Sequence, residues 1–309
     1  MRERDVGLFS LVQQVVANVA WARNEGRVPI ADFRERCCYW TPHGHEGALS
    51  VWEYYFEPLV DGYPADSISE SLRSRIDCDF PLMGDVGYFA QADVFVTSHY
   101  GDHPSLRGKA PVIPYMDASP ADSLRRWTSD LMGDYIRPRD YLQRKADSFF
   151  AEHLQGDEVI GVHIRGTDAI SAQETRAYRR DSLDLNRFVA TLSALIQERP
   201  QARIFVATDA QSSLDHLKET FKDRVIAYDA LRHLDGDAAG LGPTGLIMPA
   251  YIAHDREAAA RNGEDAVVEF LLLGRCSHVV HNGSGLALTV LLRDPAMPHT
   301  DTRPPSKVS

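Results

Sequence analysis

The chain has 309 residues, 44% of them hydrophobic, enough for two domains of roughly 150 residues each with its own core. Its 44 acidic against 33 basic residues give a formal charge of -11, which excludes a broad nucleic-acid or anionic-membrane surface and leaves any anionic ligand to a local basic site. The four cysteines, an adjacent pair at Cys37 and Cys38 and isolated Cys78 and Cys276, suggest a reduced, cytoplasmic setting rather than a disulfide framework, and no apolar run reaches the roughly 18 to 20 residues of a membrane span.

The opening stretch MRERDVGLFSLVQQVVANVAWA imitates a secretion signal through its early positive charge and apolar centre. Gln13 and Gln14 split it, however, and Leu8, Leu11, Val12, Val15, Val19 and Ala22 recur at helical spacing, which reads as an amphipathic core helix. A short strand, VPIADF at 28–33, follows. The aromatic, Pro- and Gly-rich stretch at 39–64 carries Trp40, Trp52 and Tyr54, rings that either stack on a carbohydrate or fill a core. His43 and His45 sit there without a nearby matching ligand group, so no metal site is read from them. A charged amphipathic helix at Arg139–His153 then leads through Gly156 into VIGVHIRGTDAI, residues 159–170. The domain boundary is placed at that point, giving units 1–155 and 156–295 and a polar, Pro-rich tail 296–309 that is expected to fray.

From residue 156 onward the pattern is regular. Apolar strands VIGVHI, ARIFVAT and SHVVHN alternate with helical segments near 183–197, 212–221 and 264–274, which implies an α/β fold with a parallel sheet covered by helices. Ligands of such sheets gather beyond the carboxyl ends of the strands, where this chain has His163, Arg165 and Asp168, then Thr208 and Asp209, then His281, Asn282 and Ser284. His163 and Arg165, two apart on a strand, share one face, and Gly166 is expected to turn the chain immediately afterwards. A guanidinium offers a rigid fork of donors that suits a phosphate, although an Arg165–Asp168 ion pair with a satisfied core histidine would explain the same residues.

HIRGTD at 163–168 resembles the HxRxxD signature of the fucosyltransferase superfamily that holds the α-1,6-fucosyltransferases, the NodZ-type enzymes and the protein O-fucosyltransferases. IFVATDA at 204–210 is similar to that family's second strand. GEDAVVEFLLLGRCSHVVHNGSG at 263–285 is similar to its acidic helix, strand and Ser-containing turn, and VGLFSLVQQVVANVAWARNEGRVPIADF to the Gly-initiated helix and strand that open bacterial members. The resemblance implies a GT-B-like architecture of two Rossmann-type domains facing a cleft. Residues 1–155 would face the acceptor, and residues 156–295 would bind a nucleotide-sugar donor, usually GDP-fucose, without a metal or other cofactor. By motif position, His163 would contact the guanine, Arg165 the β-phosphate, Asp168 would buttress Arg165, Asp209 would organise the same loop, Glu269 would read the base, and Ser284 and Gly285 would lie in the phosphate-contacting turn. The implied reaction is inverting transfer of a sugar, L-fucose above all, to the hydroxyl of a carbohydrate or other small acceptor.

Physical chemistry supports part of this independently. Glu269 lies inside VVEFLLL, where a carboxylate needs a partner: either the paired N–H donors of guanine or an internal arginine such as Arg275. Asp265, one turn earlier, could take the same role, and Asp209 could instead cap the helix that follows it. The chain also departs from the family pattern. Gly166 stands where a second basic residue is common, Ala169 where a lysine is common, and the acceptor-activating base is out of register, with Glu174 the nearest candidate. Other readings of the same residues are a transferase for another GDP-linked sugar such as mannose, a metal-dependent phosphoesterase built on His163, Asp168, Asp209, His281 and Asn282, and a catalytically silent nucleotide-sugar-binding protein.

Overall fold

The computed structural model describes residues 1–4, 6–79, 86–89, 93–98, 122–166, 184–234, 237, 239–241 and 247–303. The first half carries α1 (Leu8–Asn24), α2 (Val51–Tyr55), α3 (Glu70–Asp79), an antiparallel pair β1 (Val86–Phe89) and β2 (Val94–Thr97), and helices α4 (Asp122–Tyr135) and α5 (Asp140–His153). The second half alternates as expected: β3 (Val159–Ile164), α6 (Leu185–Glu198), β4 (Arg203–Thr208), α7 (Gln211–Phe221) and β5 (Val225–Ile226). A small antiparallel pair, β6 (Ala239–Leu241) and β7 (Ile247–Pro249), precedes α8 (Ala250–His254), α9 (Arg256–Leu273), β8 (His278–His281), α10 (Gly285–Arg293) and β9 (His299–Asp301).

Five strands form one parallel sheet in the order β5-β4-β3-β8-β9. β3 is central, and all six of its residues are buried, which is why VIGVHI reads as a continuous apolar run rather than an alternation. Ile160, Val162 and Ile164 pack with Ile204, Val206 and Val280 against Phe188 and Leu192 of α6 and Leu214 and Leu217 of α7. The opposite face, carrying Val159, Phe205, Ala207 and Val279, joins a larger core that runs without a break through side chains of α1, α2, α9 and α10. His163 shares this second face by strand periodicity, so the site residues of β3 point toward the helices that the first half contributes.

The opening helix is buried all round over residues 8–22 rather than amphipathic. The amide nitrogens of its polar side chains find partners inside: Gln14 Nε2 donates to the Arg2 carbonyl at 2.8 Å, Asn18 Nδ2 to the Gln14 carbonyl at 2.8 Å, and Gln13 Nε2 to the Gly285 carbonyl at 3.1 Å. The VPIADF stretch forms no named strand, only a parallel bridge of Asp32 with Arg2. Trp52 and Tyr54 are fully buried, so they belong to the core and offer no stacking surface.

The tail expected to fray supplies the edge strand. Val279 N donates to Pro298 O at 2.9 Å and Thr302 N to His281 O at 2.8 Å, so β9 satisfies the outer edge of β8. Removing residues 298–309 should therefore lower the melting temperature by several degrees, about 2–4 °C for each kcal/mol lost. Thermal unfolding of the shortened chain checks this, and an unchanged transition would contradict it.

Candidate functional site

The carboxyl ends of β3, β4 and β8 bring together His163, Arg165, Asp209, Asn282 and Ser284, all singled out from the sequence. His163 is 5% exposed, and its Nδ1 lies 3.0 Å from Ser284 Oγ. Ser284 is the N-cap of α10, and its Oγ accepts from Ala287 N–H at 3.2 Å. The Ser284 hydroxyl has one proton to give and a second lone pair to offer, so the ring tautomer sets the direction of its bond with His163. Burial, then the nearby Arg165 and His281, pull the His163 pKa down to about 3, so the ring is neutral at ordinary pH.

Arg165 is held by its backbone and by its side chain. Its N–H donates to Asn282 Oδ1 at 3.1 Å, and its carbonyl accepts from Asn282 Nδ2 at 3.0 Å, so one amide side chain continues the β3–β8 pairing past the end of the ladder. Its guanidinium Nε stands 3.5 Å from Asp209 Oδ2, while Asp209 Oδ1 accepts from Gly166 N–H at 2.7 Å. Asp209 thus takes the organising position at the end of β4, and the N-cap of α7 is Ala210 instead. Gly166 does not turn the chain through a left-handed conformation. It is needed for space, because a β-carbon there would meet the Ala210 β-carbon at 3.0 Å. Asp168 and Glu174 lie outside the described residues.

Two helix N-termini meet beside this cluster. A β-carbon on Gly285 would lie 3.5 Å from Ser10 N in the first turn of α1, and one on Gly7, the N-cap of α1, would lie 3.9 Å from Arg165 Nη2. Neither α1 nor α10 has an acidic residue in its first turn. The converging positive helix ends and the Arg165 fork concentrate positive charge locally within a chain of formal charge -11.

Glu269 lies on α9, within electrostatic range of Asp209, and is 6% exposed. Arg275 is not its partner, since that side chain pairs with Asp147; the nearest cation is Arg232, with Nη2 3.7 Å away. Glu269 Oε1 has no hydrogen-bond partner among the described residues. Burial pushes the carboxyl up to about 8 despite Arg232. Asp265 accepts from Leu231 N–H at 2.9 Å and is raised to about 6, again chiefly by burial. Tyr251 of α8 sits in the field of Asp209, Arg165, Asp265 and Glu269, and burial raises its hydroxyl pKa. Nothing in the sequence pattern marked Arg232 or Tyr251, because both come from the segment between β5 and α9, whose placement is a tertiary matter.

His45, without a visible partner in the sequence, has one across the fold: Nε2 lies 2.5 Å from Glu264 Oε1. With Glu46, these two offer ligand atoms all within 4.8 Å of one another. Lys145 Nζ is bonded to the other Glu264 oxygen, so an ion there would have to displace a cation already paired. At the sheet end, two of the residues read for a two-metal centre are committed to other partners. His281 Nδ1 accepts from Gly283 N at 3.1 Å, its Nε2 contacts His299 Nδ1 at 3.2 Å, and Asn282 clamps Arg165.

No family model matches the chain. Over 149 residues, 47% of its length, the chain is 26% identical to Nodulation protein Z of Sinorhizobium fredii (strain NBRC 101917 / NGR234), a stretch that is 42% of that protein. It is 24% identical over the same length to Nodulation protein Z of Bradyrhizobium diazoefficiens, 36% of that protein, so the match spans less than half of these curated relatives. In structure, it matches a NodZ α-1,6-fucosyltransferase soaked with GDP-fucose at TM-score 0.51 and 17% identity, over 94% of this chain and 90% of that one. It matches POFUT1 in its apo form at TM-score 0.54 and 13% identity, over 97% and 96% of the two chains.

Because the raised carboxyl of Glu269 binds its proton more tightly folded than unfolded, it lowers stability as pH rises from the ordinary carboxylate range, near 4.5, to about 8. Glu269→Gln should remove that slope and melt higher than wild type at pH 8, as read by melting temperature against pH. A variant with the wild-type slope would show that the carboxyl is ionised throughout. Sequence and fold agree with the fucosyltransferase resemblance: the chain is homologous over about half its length to Nodulation protein Z and adopts the GT-B-like α/β fold of the NodZ and POFUT1 structures.

Proposed function

We propose that the chain is a glycosyltransferase that moves L-fucose from GDP-fucose to the hydroxyl of a carbohydrate or other small acceptor, with inversion. The observation that carries this reading is the convergence of His163, Arg165, Asp209 and Ser284 with two helix N-termini at the carboxyl edge of a parallel sheet. The relatives support it, since the structures with this fold include a NodZ enzyme soaked with GDP-fucose and POFUT1 in complex with GDP. In this reading residues 156–295 hold the donor and residues 1–155 face the acceptor.

The acceptor oxygen forms a bond to the anomeric carbon while the bond from that carbon to the diphosphate oxygen breaks. The electron pair leaves on the diphosphate, and the hydroxyl proton goes to a base, for which Glu174 is the candidate. Arg165 and the backbone amides at the start of α10 meet the charge that develops on the leaving group, which is usually the largest electrostatic contribution to such a reaction. His163 contacts the guanine. Glu269, whose Oε1 has no hydrogen-bond partner among the described residues, reads the base by accepting the two N–H groups of guanine as it ionises. Asp168 buttresses Arg165 together with Asp209, and Ser284 and Gly285 form the turn that cradles the phosphates.

A thermal-shift comparison of GDP, UDP, ADP and TDP tests the donor assignment. GDP at a hundred times its Kd should add about 2.7 kcal/mol of stability, and a UDP shift equal to that of GDP would overturn the guanine reading. Arg165→Ala should fold, because Asp209 keeps its bond from Gly166 N–H. It should lose roughly 10²- to 10³-fold in turnover, with Arg165→Lys recovering part. Normal turnover in Arg165→Ala would remove this residue from the mechanism.

Charge neutralisation by arginine and backbone amides also makes the reaction independent of divalent cations. Transfer measured in EDTA should match transfer without it, and activity that EDTA abolishes and Mg²⁺ or Mn²⁺ restores would contradict the assignment.

A further inference from the structure

Arg303 lies in the stretch read from the sequence as a fraying tail, yet the sheet register carries it to the edge where the donor site is proposed. His163 pairs with His281 in the β3–β8 ladder, and His281 pairs with Asp301 in the β8–β9 ladder, so the three form one row across adjacent parallel strands. Two residues beyond that row, in the same order, stand Arg165, Gly283 and Arg303. With neighbouring strands about 4.8 Å apart, the two arginines start roughly 10 Å from each other with the glycine turn between them.

The contacts past the ladders keep this arrangement in place. Asn282 is bonded to both backbone groups of Arg165, and Thr302 donates to the His281 carbonyl through N at 2.8 Å and through Oγ1 at 3.1 Å. The Arg303 guanidinium lies against Gly283, so closely that a β-carbon on that glycine would fall inside it. Gly283 has φ +74, so both its backbone and its neighbour exclude a side chain. Asp301 fixes the plane of the guanidinium: Oδ2 accepts from Nε at 3.1 Å and from Nη2 at 2.9 Å. The side chain remains 30% exposed.

This placement is unfavourable for a protein with nothing bound. Ser284 caps α10 immediately after Gly283, and the positive end of a helix is a poor neighbour for a cation. Two guanidinium groups flank that end, Arg165 beside Asp209 and Arg303 beside Asp301. An anion with charge spread over more than one phosphate satisfies both arginines and the helix end together.

We infer that Arg303 is a second arginine of the donor site, contacting the diphosphate of the bound nucleotide from the β9 side of the Gly283 turn while Arg165 contacts it from the β3 side. This rests on the nucleotide-sugar reading above, and the experiment separates the two. Calorimetric titration of GDP, guanosine and inorganic pyrophosphate into wild type, Arg303→Gln and Arg303→Lys reads each contribution, with unliganded melting temperatures as the folding control. Arg303→Gln should weaken GDP and pyrophosphate by roughly 10- to 100-fold, the size of a charge-assisted contact, and leave guanosine unchanged. Arg303→Lys, which keeps the charge without the planar fork, should lie between and decides the matter if the glutamine variant does not fold.

Equal GDP affinity in wild type and either folded variant overturns the inference, as does a wild type that binds neither GDP nor pyrophosphate. A wild type that binds UDP as well as GDP overturns the guanine reading alone. In that case an Arg303-dependent loss of pyrophosphate binding upholds the second arginine, and its absence rejects it.

Discussion

Asp209 ties the end of the central strand in two directions, and the rest of the site depends on that carboxylate. One oxygen takes the Gly166 amide at 2.7 Å, and the other faces the Arg165 guanidinium at 3.5 Å. The backbone where β3 leaves the sheet and the fork it presents are therefore set by one group from the neighbouring strand. A bond from an N–H to an ionised acceptor is among the stronger hydrogen bonds a protein makes. Asn282 does the equivalent from the β8 side, through both polar atoms of its amide. An arginine held at its backbone by one strand and at its side chain by another has little freedom left to lose when an anion arrives, which is the condition for a preorganised binding group.

The second consequence concerns buried charge. Glu269, Asp265, Glu264 and Arg232 all come from or face α9, and each meets a different fate. Glu264 is lowered despite burial, because His45 and Lys145 each take one of its oxygens. Asp265 receives a backbone donor and rises to about 6, while Glu269 Oε1 receives none among the described residues and the carboxyl rises to about 8. Along a single helix, the pKa follows the number of donors supplied to each carboxylate, as desolvation opposed by hydrogen bonding requires. The group left wanting donors faces the same field as Asp209 and Tyr251, at the side of the site where a base bearing two N–H groups would supply them.

The packing of the two halves explains why the opening helix carries no polar face. α1 is enclosed by α10, α4 and the aromatic α2 region, so its glutamines and asparagine must be satisfied from within. Gln13 reaches the Gly285 carbonyl, fixing the start of α1 to the start of α10. That contact sets the start of α1 beside the start of α10, close to Arg165.

Much was determined by the sequence itself, for reasons of local physics. A continuous apolar run of six residues ending in HIR can be satisfied only as a strand buried on both faces with its polar residues at the end, and β3, β4 and β8 fall where the runs predicted. The pairing of His163 with Arg165 on one face follows from a period of two, and the need of Glu269 for a partner follows from its apolar surroundings. Tertiary structure decided which partner each would have. Arg232 rather than Arg275 faces Glu269, Asp209 holds the Gly166 amide rather than capping a helix, and Glu264 meets His45. The tail was the least legible part: three residues, His299–Asp301, carry no pattern strong enough to mark a strand, and become one because β8 has an edge to satisfy. Contacts between residues a hundred or more positions apart depend on how the chain is wound, and no local periodicity encodes them.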